Sequence, residues 1–213
     1  MTRNDPGREL YCTPRHVTQA LLVRERFPGT IWEPAAGKGH IVRVLHEHGY
    51  ADVVASDLHD WGCGYDTVDF LTSERISDSL VTNPPYSLTH KFLTHAKRVV
   101  RCKVAMLLPV LHEFTESWLA AHEYDLVFPL RAVYTFANAM RWANTQQTWG
   151  RMKYAWFVFE RGAPPQVVRE KIVFHRWADG AFEEVSRSRQ PEYEIPQKTS
   201  SPTTERHSVR RKQ

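Results

Sequence analysis

Four consecutive residues, Asn83, Pro84, Pro85 and Tyr86, follow a short apolar segment at 79–82 and have types that could activate an amino group. The exocyclic amino group of adenine is a poor nucleophile because its lone pair is delocalised into the ring. The side-chain oxygen of Asn83 and the carbonyl oxygen of Pro84, in a turn stiffened by two fixed φ angles, could accept the two amino hydrogens. Tyr86 offers a flat face for a base taken out of its stack. The alternative is an Xaa-Pro-Pro turn that merely ends a strand.

A glycine turn, Glu-Pro-Ala-Ala-Gly-Lys-Gly-His at 33–40, stands earlier in the chain, between a predicted strand at 30–33 and a predicted helix at 40–48. Gly37 and Gly39 would let a ligand approach the backbone closely. Val42 replaces the third glycine of the dinucleotide-binding pattern, so a ligand without a pyrophosphate fits better. Glu33, at the start of this turn, is a candidate for binding polar hydrogens of that ligand.

Asp57 follows a second predicted strand, at 52–56. An acidic side chain about twenty residues beyond such a glycine turn commonly binds ribose hydroxyls. A carboxylate after a strand is also frequently a helix cap, and this alternative stays open for Asp57.

Five features in this order resemble the N6-adenine methyltransferases, and the small phage- and prophage-type DNA members most closely. They are Tyr11-Cys12-Thr13-Pro14, the turn at 33–40, Asp57, Asp69-Phe70 and Asn83 to Tyr86. The likeness covers Tyr11 to about Glu160. It implies transfer of a methyl group from S-adenosyl-L-methionine to the N6 amino group of adenine in DNA.

The resemblance also implies the roles of individual residues. Asn83, Pro84, Pro85 and Tyr86 would be catalytic and take the target adenine. The residues implied to bind the cofactor are Tyr11, Thr13, Pro14, Glu33, Pro34, Ala35, Gly37, Gly39, Asp57, Leu58, Asp69, Phe70 and Asn83. Thr13 followed by Pro14 is in addition a good helix start, so a capping role competes with cofactor binding there.

The predicted elements alternate between strand and helix, which indicates an α/β fold with a parallel sheet. After the Asn-Pro-Pro-Tyr turn we predict a helix at 88–100, a central buried strand at 103–108, a helix at 113–122 and a strand at 124–130. The family likeness implies a Rossmann-like methyltransferase fold. It would have a mostly parallel seven-stranded sheet, helices on both faces and a final antiparallel strand at 154–159. A small hairpin is predicted at 177–182.

A long segment at 134–152 has a composition that suits nucleic acid, and an ordinary connecting loop is the alternative. Arginine can meet phosphates or guanine edges, glutamine can read adenine, and tryptophan can stack on bases. The candidate substrate-binding residues are Arg141, Trp142, Gln146, Trp149 and Arg151. No space remains between 33 and 83 for a separate recognition domain, so we expect short or loose sequence specificity.

Length and composition predict one catalytic domain, residues 1–185, followed by a basic tail, residues 186–213. The tail holds seven Lys and Arg against three Glu, so its charge of 7 − 3 = +4 equals the net charge of the whole chain. Its Ser, Thr, Pro and Gln content predicts disorder. These charges could bind phosphates in a salt-sensitive manner, or could serve only solubility.

The three cysteines and eleven histidines show no metal-type spacing, so we expect no bound metal and no disulfide framework. The N-terminus lacks the apolar core of a secretion signal, and no apolar stretch is long enough to span a membrane. These features predict a cytoplasmic protein with no membrane partner, and the resemblance implies a bacterial or phage-infected cell.

Other functions stay open beside DNA adenine methylation. RNA adenine is the nearest alternative, and Asn rather than Ser at position 83 favours adenine over cytosine N4 by the family pattern. Release-factor enzymes use the same four residues to methylate a glutamine amide, but they commonly carry an added N-terminal helical domain, for which we expect no space before Tyr11. A noncatalytic module that binds the cofactor or nucleic acid is the third possibility.

Overall fold

The computed structural model describes residues 10–110, 125–138, 152–164, 166–176 and 182–189. Its helices are α1 (Arg15–Arg24), α2 (His40–Glu47) and α3 (Thr89–Val99), with short 3-10 turns at Phe70–Thr72 and Tyr86–Leu88. Its strands are β1 (Ile31–Glu33), β2 (Val53–Asp57), β3 (Asp66–Thr67), β4 (Ser77–Thr82), β5 (Val100–Pro109), β6 (Leu130–Phe136), β7 (Tyr154–Glu160), β8 (Val168–Arg176) and β9 (Phe182–Arg189).

All of these strands join one sheet in the order β3-β2-β1-β4-β5-β7-β6-β8-β9. Strand β7 runs antiparallel to both of its neighbours, β9 runs antiparallel to β8, and the remaining pairs are parallel. The α/β fold, the central position of β5 and the antiparallel strand at 154–159 are therefore confirmed. The predicted number of seven strands is wrong, and the strand at 154–159 is not the final one, because β8 and β9 follow it and extend the sheet beyond β6.

Buried ion pairs fasten the added strands to α1. The Arg24 guanidinium donates to Glu170 of β8 at 2.7 Å and also to Glu184 of β9, and the side chains of Arg24 and Glu170 are each 6% exposed. Two further strands are joined to the end of α1 in a similar way: Lys103 of β5 and Tyr134 of β6 both donate to Glu25, which directly follows α1. Such charged strands carry little apolar alternation, so their place in the sheet depends on tertiary partners that the local sequence does not display.

Two apolar clusters cover the two faces of the sheet. Alternate residues of β7 enter different clusters: Trp156 packs with Leu21 and Leu45 on the side of α1 and α2. Phe157 packs with Phe92 and other residues on the side of α3. Burial of both faces explains the nearly continuous apolar runs of β5 and β7.

The strand predicted at 124–130 is wrong. Residues 125–129 form a turn, in which the Asp125 carboxylate accepts hydrogen bonds from the backbone N–H groups of Val127 and Phe128, each at 2.9 Å. Pro129 has no N–H to add to a ladder, and β6 begins only at Leu130. Residues 134–136, which the sequence analysis placed in the long segment at 134–152, belong to β6.

Strand β9 continues to Arg189, so its last four residues lie in a strand, although the sequence placed them in the tail. These residues form a strand because their backbone pairs with β8, although their composition alone predicts disorder. Other predictions fall outside the described residues: the helix at 113–122, the turn of the hairpin at 177–181 and the tail from 190 onward. The same holds for the candidate substrate residues Arg141, Trp142, Gln146, Trp149 and Arg151.

In the described part of the chain, no helix is long and apolar enough to cross a membrane. The same residues contain no group of three or more His, Cys, Asp or Glu side chains that could hold a metal ion. None of the three cysteines takes part in a disulfide, and Cys12 is buried.

Candidate functional site

One edge of the sheet collects the polar residues singled out from the sequence. Strands β1, β2, β4 and β5 are parallel and end at this edge, and β7 begins there because it is antiparallel, with Tyr154 opposite Pro109. Glu33, Asp57 and Asn83 therefore stand beside one another at three neighbouring strand ends. A ligand site at the carboxyl edge of an open α/β sheet is the expected arrangement.

A pocket opens at this edge and extends from the glycine turn to the Asn-Pro-Pro-Tyr turn. The predicted site residues that line it are Tyr11, Thr13, Glu33, Pro34, Ala35, Gly37, Asp57, Leu58, Asp69, Phe70, Asn83 and Pro85. Pro14, Gly39, Pro84 and Tyr86 are not part of this lining. The structure thus brings most of the predicted cofactor residues together, while Tyr86 belongs to a neighbouring cluster.

The glycine turn is held by its own surroundings. Gly37 and Gly39 have φ values of 52° and 69°, which glycine adopts without a steric penalty. The Gly37 N–H donates to Asp57 Oδ2 at 2.8 Å. A Cβ on Gly39 would overlap the hydroxyl of Tyr65, so packing inside the protein requires glycine at that position, where the sequence had suggested close approach of a ligand.

The Asp57 carboxylate, at the end of β2, accepts hydrogen bonds from backbone N–H groups of the glycine turn and of the segment that follows β2. Its second oxygen, Oδ1, accepts from the His59 N–H at 2.9 Å. No helix follows β2, since residues 58–65 form bends, and the helix-cap alternative is therefore wrong. An ionised carboxylate offers about four acceptor sites, so two remain for hydroxyl groups of a ligand.

Glu33 is a buried carboxyl group with one open oxygen. It is 1% exposed, and its Oε1 accepts from the Ala35 N–H at 3.0 Å and the Thr82 hydroxyl at 2.6 Å. Its Oε2 is buried and has no hydrogen-bond partner among the described residues. Burial raises the pKa of Glu33 to about 8, with a further increase from the nearby charge of Asp57. A cationic or amino group of a ligand would complete this site.

The far end of the pocket is apolar. Phe70 is 2% exposed, its ring makes a T-shaped contact with Trp32 and lies close to Phe92, and only a small part of it faces the pocket. Asp69 is exposed, and its Oδ1 accepts from the Leu71 N–H at 2.9 Å. Its carboxylate therefore also fixes the 3-10 turn that presents Phe70.

Several lining residues were missed by sequence reasoning, among them Leu10, Trp61 and Leu88. Trp61 lies in the segment 58–65, and its indole N–H is buried without a hydrogen-bond partner in the described structure. Gly62 and Gly64, both with positive φ, follow Trp61 within this segment. The Trp-Gly-Cys-Gly sequence was the signal for a tight turn that carries an aromatic side chain to a site.

The side-chain amide of Asn83 makes three hydrogen bonds. Its Nδ2 donates to the Tyr11 carbonyl oxygen at 3.1 Å and to the Thr13 hydroxyl oxygen at 3.2 Å. Its Oδ1 accepts from the Tyr86 hydroxyl at 3.0 Å. The capping alternative for Thr13 is wrong, because Pro14 is the residue that precedes α1 and no side chain caps that helix.

Tyr86 belongs to a cluster of three tyrosines at the end of the pocket. Its ring stacks on Tyr11, with ring centres 5.5 Å apart and an angle of 18° between the planes. It also contacts Tyr154 at 5.6 Å with a tilt of 36°. The ring predicted to be an open platform is therefore partly covered by Tyr11.

No family model and no curated protein sequence matches this chain. Solved structures do resemble it. A modification subunit assigned to a type I restriction enzyme of Vibrio vulnificus YJ016 has a TM-score of 0.57 and 15% identity, covering 76% of this chain and 47% of that chain. A Pyrococcus horikoshii protein assigned as an RNA methyltransferase has a TM-score of 0.57 and 16% identity, covering 73% of this chain and 88% of that chain. Magnesium protoporphyrin IX methyltransferase from Synechocystis PCC 6803, with bound SAH, has a TM-score of 0.50 and 13% identity, covering 68% and 80%.

These similarities show that the chain has the Rossmann-like fold of S-adenosylmethionine-dependent methyltransferases. The predicted fold class is therefore confirmed. The chain spans about half the length of the type I modification subunit. At these identities the likeness extends to the fold alone.

Proposed function

We propose that this protein transfers a methyl group from S-adenosyl-L-methionine to the N6 amino group of adenine in DNA, with release of S-adenosylhomocysteine and of one proton from the amino nitrogen, and with short or loose sequence specificity. The observation that carries this proposal is the position of Asn83. Its amide stands at the end of β4, between the pocket beside Glu33 and Asp57 and the cluster of Tyr11, Tyr86 and Tyr154.

The residues on one side of Asn83 fit the cofactor. In this proposal Glu33 Oε2, which has no hydrogen-bond partner among the described residues, would bind an amino or cationic group, the Asp57 carboxylate would bind ribose hydroxyls, and Phe70 would contact one end of the cofactor adenine. When bound, the cofactor supplies a methyl group on a positively charged sulfur. The protein residues then need only hold the two reactants in line, which can account for a large part of the rate enhancement.

The residues on the other side of Asn83 fit an amino group. Asn83 Oδ1 has a lone pair beyond the one used by Tyr86, and the Pro84 carbonyl offers a second acceptor in the same turn. Two acceptors on the two amino hydrogens draw the lone pair of the nitrogen out of the ring. Because the Tyr86 ring contacts both Tyr11 and Tyr154, a base that stacks on Tyr86 would take the place of one of these rings.

RNA adenine is the second candidate substrate. The Pyrococcus horikoshii protein assigned as an RNA methyltransferase matches this chain with the same TM-score as the Vibrio vulnificus subunit. We further propose that nucleic acid is contacted by Arg141, Trp142, Gln146, Trp149 and Arg151. The basic tail would add contacts to phosphates that weaken as the salt concentration rises. The division into a catalytic domain and a tail belongs to the same proposal.

A single labelling experiment tests these assignments. The protein is mixed with S-adenosyl-L-methionine carrying a labelled methyl group and, separately, with double-stranded DNA, single-stranded DNA, RNA or protein extract. Digestion and mass spectrometry then identify the labelled product. We expect labelled N6-methyl-deoxyadenosine, and labelling that is roughly 100- to 1,000-fold slower when Asn83→Ala replaces the wild type. Label in RNA adenosine would move the proposal to RNA, whereas label in glutamine, or no label in any arm, would refute it.

A further inference from the structure

We propose that Thr13 is a positioning residue for Asn83: together with the Tyr11 carbonyl, its hydroxyl fixes the amide so that the oxygen faces the target side. This inference rests on the proposed function. The resemblance to the adenine methyltransferases assigned Thr13 to the cofactor alone, whereas the hydrogen bonds of the structure connect it to the catalytic side chain.

The orientation of the Asn83 amide follows from the chemistry of its partners. A backbone carbonyl can only accept hydrogen bonds, so the group that faces the Tyr11 oxygen at 3.1 Å must be the NH2 group. The Tyr86 hydroxyl can donate, and it meets the Asn83 oxygen. A flipped amide would set its oxygen against the Tyr11 oxygen, which leaves two acceptors facing each other.

Thr13 makes this orientation rigid. It is 2% exposed, and its hydroxyl oxygen lies 3.2 Å from Asn83 Nδ2, across a separation of 70 residues in sequence. The next residue, Pro14, has its carbonyl bonded to the Val17 N–H in the first turn of α1, so the backbone that carries Thr13 is held by a helix. The Tyr11 carbonyl, which can only accept, selects the orientation of the amide, and the Thr13 hydroxyl beside it holds the selected NH2 group in place with a second hydrogen bond.

The same two acceptors also strengthen the oxygen of Asn83. An amide whose NH2 group donates to two acceptors is polarised, and its oxygen becomes the better acceptor because hydrogen bonds in a chain reinforce one another. Thr13 would therefore promote the reaction through Asn83 without touching the reacting atoms. Tyr86 alone cannot fix the orientation, since a hydroxyl can donate to an oxygen or accept from an NH2 group.

The two roles of Thr13 predict different kinetics. A residue that only binds the cofactor changes the cofactor Kd and leaves kcat at saturation nearly unchanged. A residue that positions Asn83 lowers kcat and leaves the cofactor Kd nearly unchanged. Thr13→Val retains the shape of the side chain and removes the acceptor, while Thr13→Ser retains the acceptor.

We expect Thr13→Val to lower kcat by about 100-fold, the effect typical of a reacting group displaced by about 1 Å. Thr13→Ser should restore most of the rate, and both variants should bind the cofactor with wild-type Kd in calorimetry. The matched control is Thr18→Val in α1, where a fully buried hydroxyl has no hydrogen-bond partner among the described residues. This control should change neither kcat nor Kd.

The NMR signals of the Asn83 side-chain NH2 group give a readout that does not depend on activity. In the wild type, both protons should exchange slowly with water, and Thr13→Val should accelerate the exchange. If the Asn83 NH2 protons of the wild type exchange as fast as those of an unprotected amide, the inference is overturned, even if Thr13→Val does not fold. A raised Kd with unchanged kcat in Thr13→Val would overturn it as well. A wild type that methylates nothing yet has protected Asn83 protons would instead refute the proposed function and leave the orientation of the amide established.

Discussion

The two halves of the pocket differ in how their polar atoms are satisfied. On the side of β1 and β2, Glu33 Oε2 and Trp61 Nε1 are buried without hydrogen-bond partners in the described structure. On the side of β4, both ends of the Asn83 amide already have partners: Nδ2 donates to Thr13 and Tyr11, and Oδ1 accepts from the Tyr86 hydroxyl and keeps one further lone pair. The first half therefore leaves two polar atoms without partners, whereas the second uses most of its hydrogen-bonding groups to hold its own side chains.

This difference has a consequence for binding. A ligand that reaches Glu33 Oε2 or Trp61 Nε1 gains hydrogen bonds that the described part of the protein does not already make. A base entering the half around Tyr86 must share Asn83 Oδ1 with a hydroxyl and must accommodate the Tyr11 ring. We infer tight cofactor binding by a preformed site and weaker, more demanding binding of the target base.

The largest expected effect comes from removing the target-side acceptor. Asn83→Ala should lower the rate of methyl transfer by roughly 100- to 1,000-fold, the usual cost of losing one hydrogen bond to a developing transition state. The cofactor Kd should stay close to the wild-type value, because the open acceptors on the other side remain. Single-turnover kinetics and calorimetry on the same samples measure both quantities. A normal rate combined with a raised Kd would reverse the assignment of the two halves.

Asp57→Ala should have the opposite signature. It removes the acceptor for the N–H groups of Gly37 and His59 and for ligand hydroxyls, so the cofactor Kd should rise by about 10- to 100-fold. Its kcat at saturating cofactor should change little. Asp60→Ala is the matched control, because Asp60 lies in the same loop, is exposed and, among the described residues, accepts a hydrogen bond only from the Gly62 N–H. Equal effects of the two substitutions would show that loop order, rather than the Asp57 carboxylate, controls binding.

The buried carboxyl of Glu33 should make cofactor binding depend on pH. Its pKa of about 8 means that the group is protonated at pH 7 in the free protein, and a cationic ligand would favour the ionised form. Affinity should therefore rise with pH, by up to about tenfold per pH unit, and level off above pH 8. Glu33→Gln should remove this dependence, as titration calorimetry in buffers of different ionisation enthalpy can show. An equally steep dependence in Glu33→Gln would exclude Glu33 as its source.

The stability of the free protein should change with pH in the opposite sense. The pKa of Glu33 in the folded protein lies above its ordinary value of 4.5, so the proton binds more tightly to the folded state. This contribution to stability is complete below pH 4.5 and is lost as the pH rises through 8. Thermal unfolding of the wild type without cofactor should show the loss across this range, and Glu33→Gln should show less of it.

The smallest effect is expected from the Tyr86 hydroxyl. Tyr86→Phe keeps the ring that contacts Tyr11 and Tyr154, and removes one neutral hydrogen bond to Asn83, whose net value is about 1 kcal/mol. A roughly fivefold change in kcat is the corresponding size. Tyr86→Ala also removes the stacking surface and should cost more, since base stacking on an aromatic ring contributes about 1 to 3 kcal/mol. Identical losses in the two variants would mean that the hydroxyl, and not the ring, is what the reaction needs.

The sequence was informative wherever local geometry decides the structure. The glycine turn, the strands that end at Glu33 and Asp57 and the helix after Gly39 were placed within a residue or two of their observed bounds. It was misleading at 124–130, where Asp125 and Pro129 turn the chain. The sequence contained no recognisable signal for β8, because the charged residues of that strand are stabilised by partners far away in sequence, such as Arg24.

The sequence by itself determined the order of strands and turns, and with it the meeting of Glu33, Asp57 and Asn83 at one edge, since strand direction follows from local pattern and short connections. Only the tertiary structure decided the orientation of the Asn83 amide, the stacking of Tyr11 on Tyr86 and the open oxygen of Glu33. The physical reason is distance along the chain: the partners of Asn83 at Tyr11 and Thr13 lie 72 and 70 residues away, where no local pattern can specify a contact.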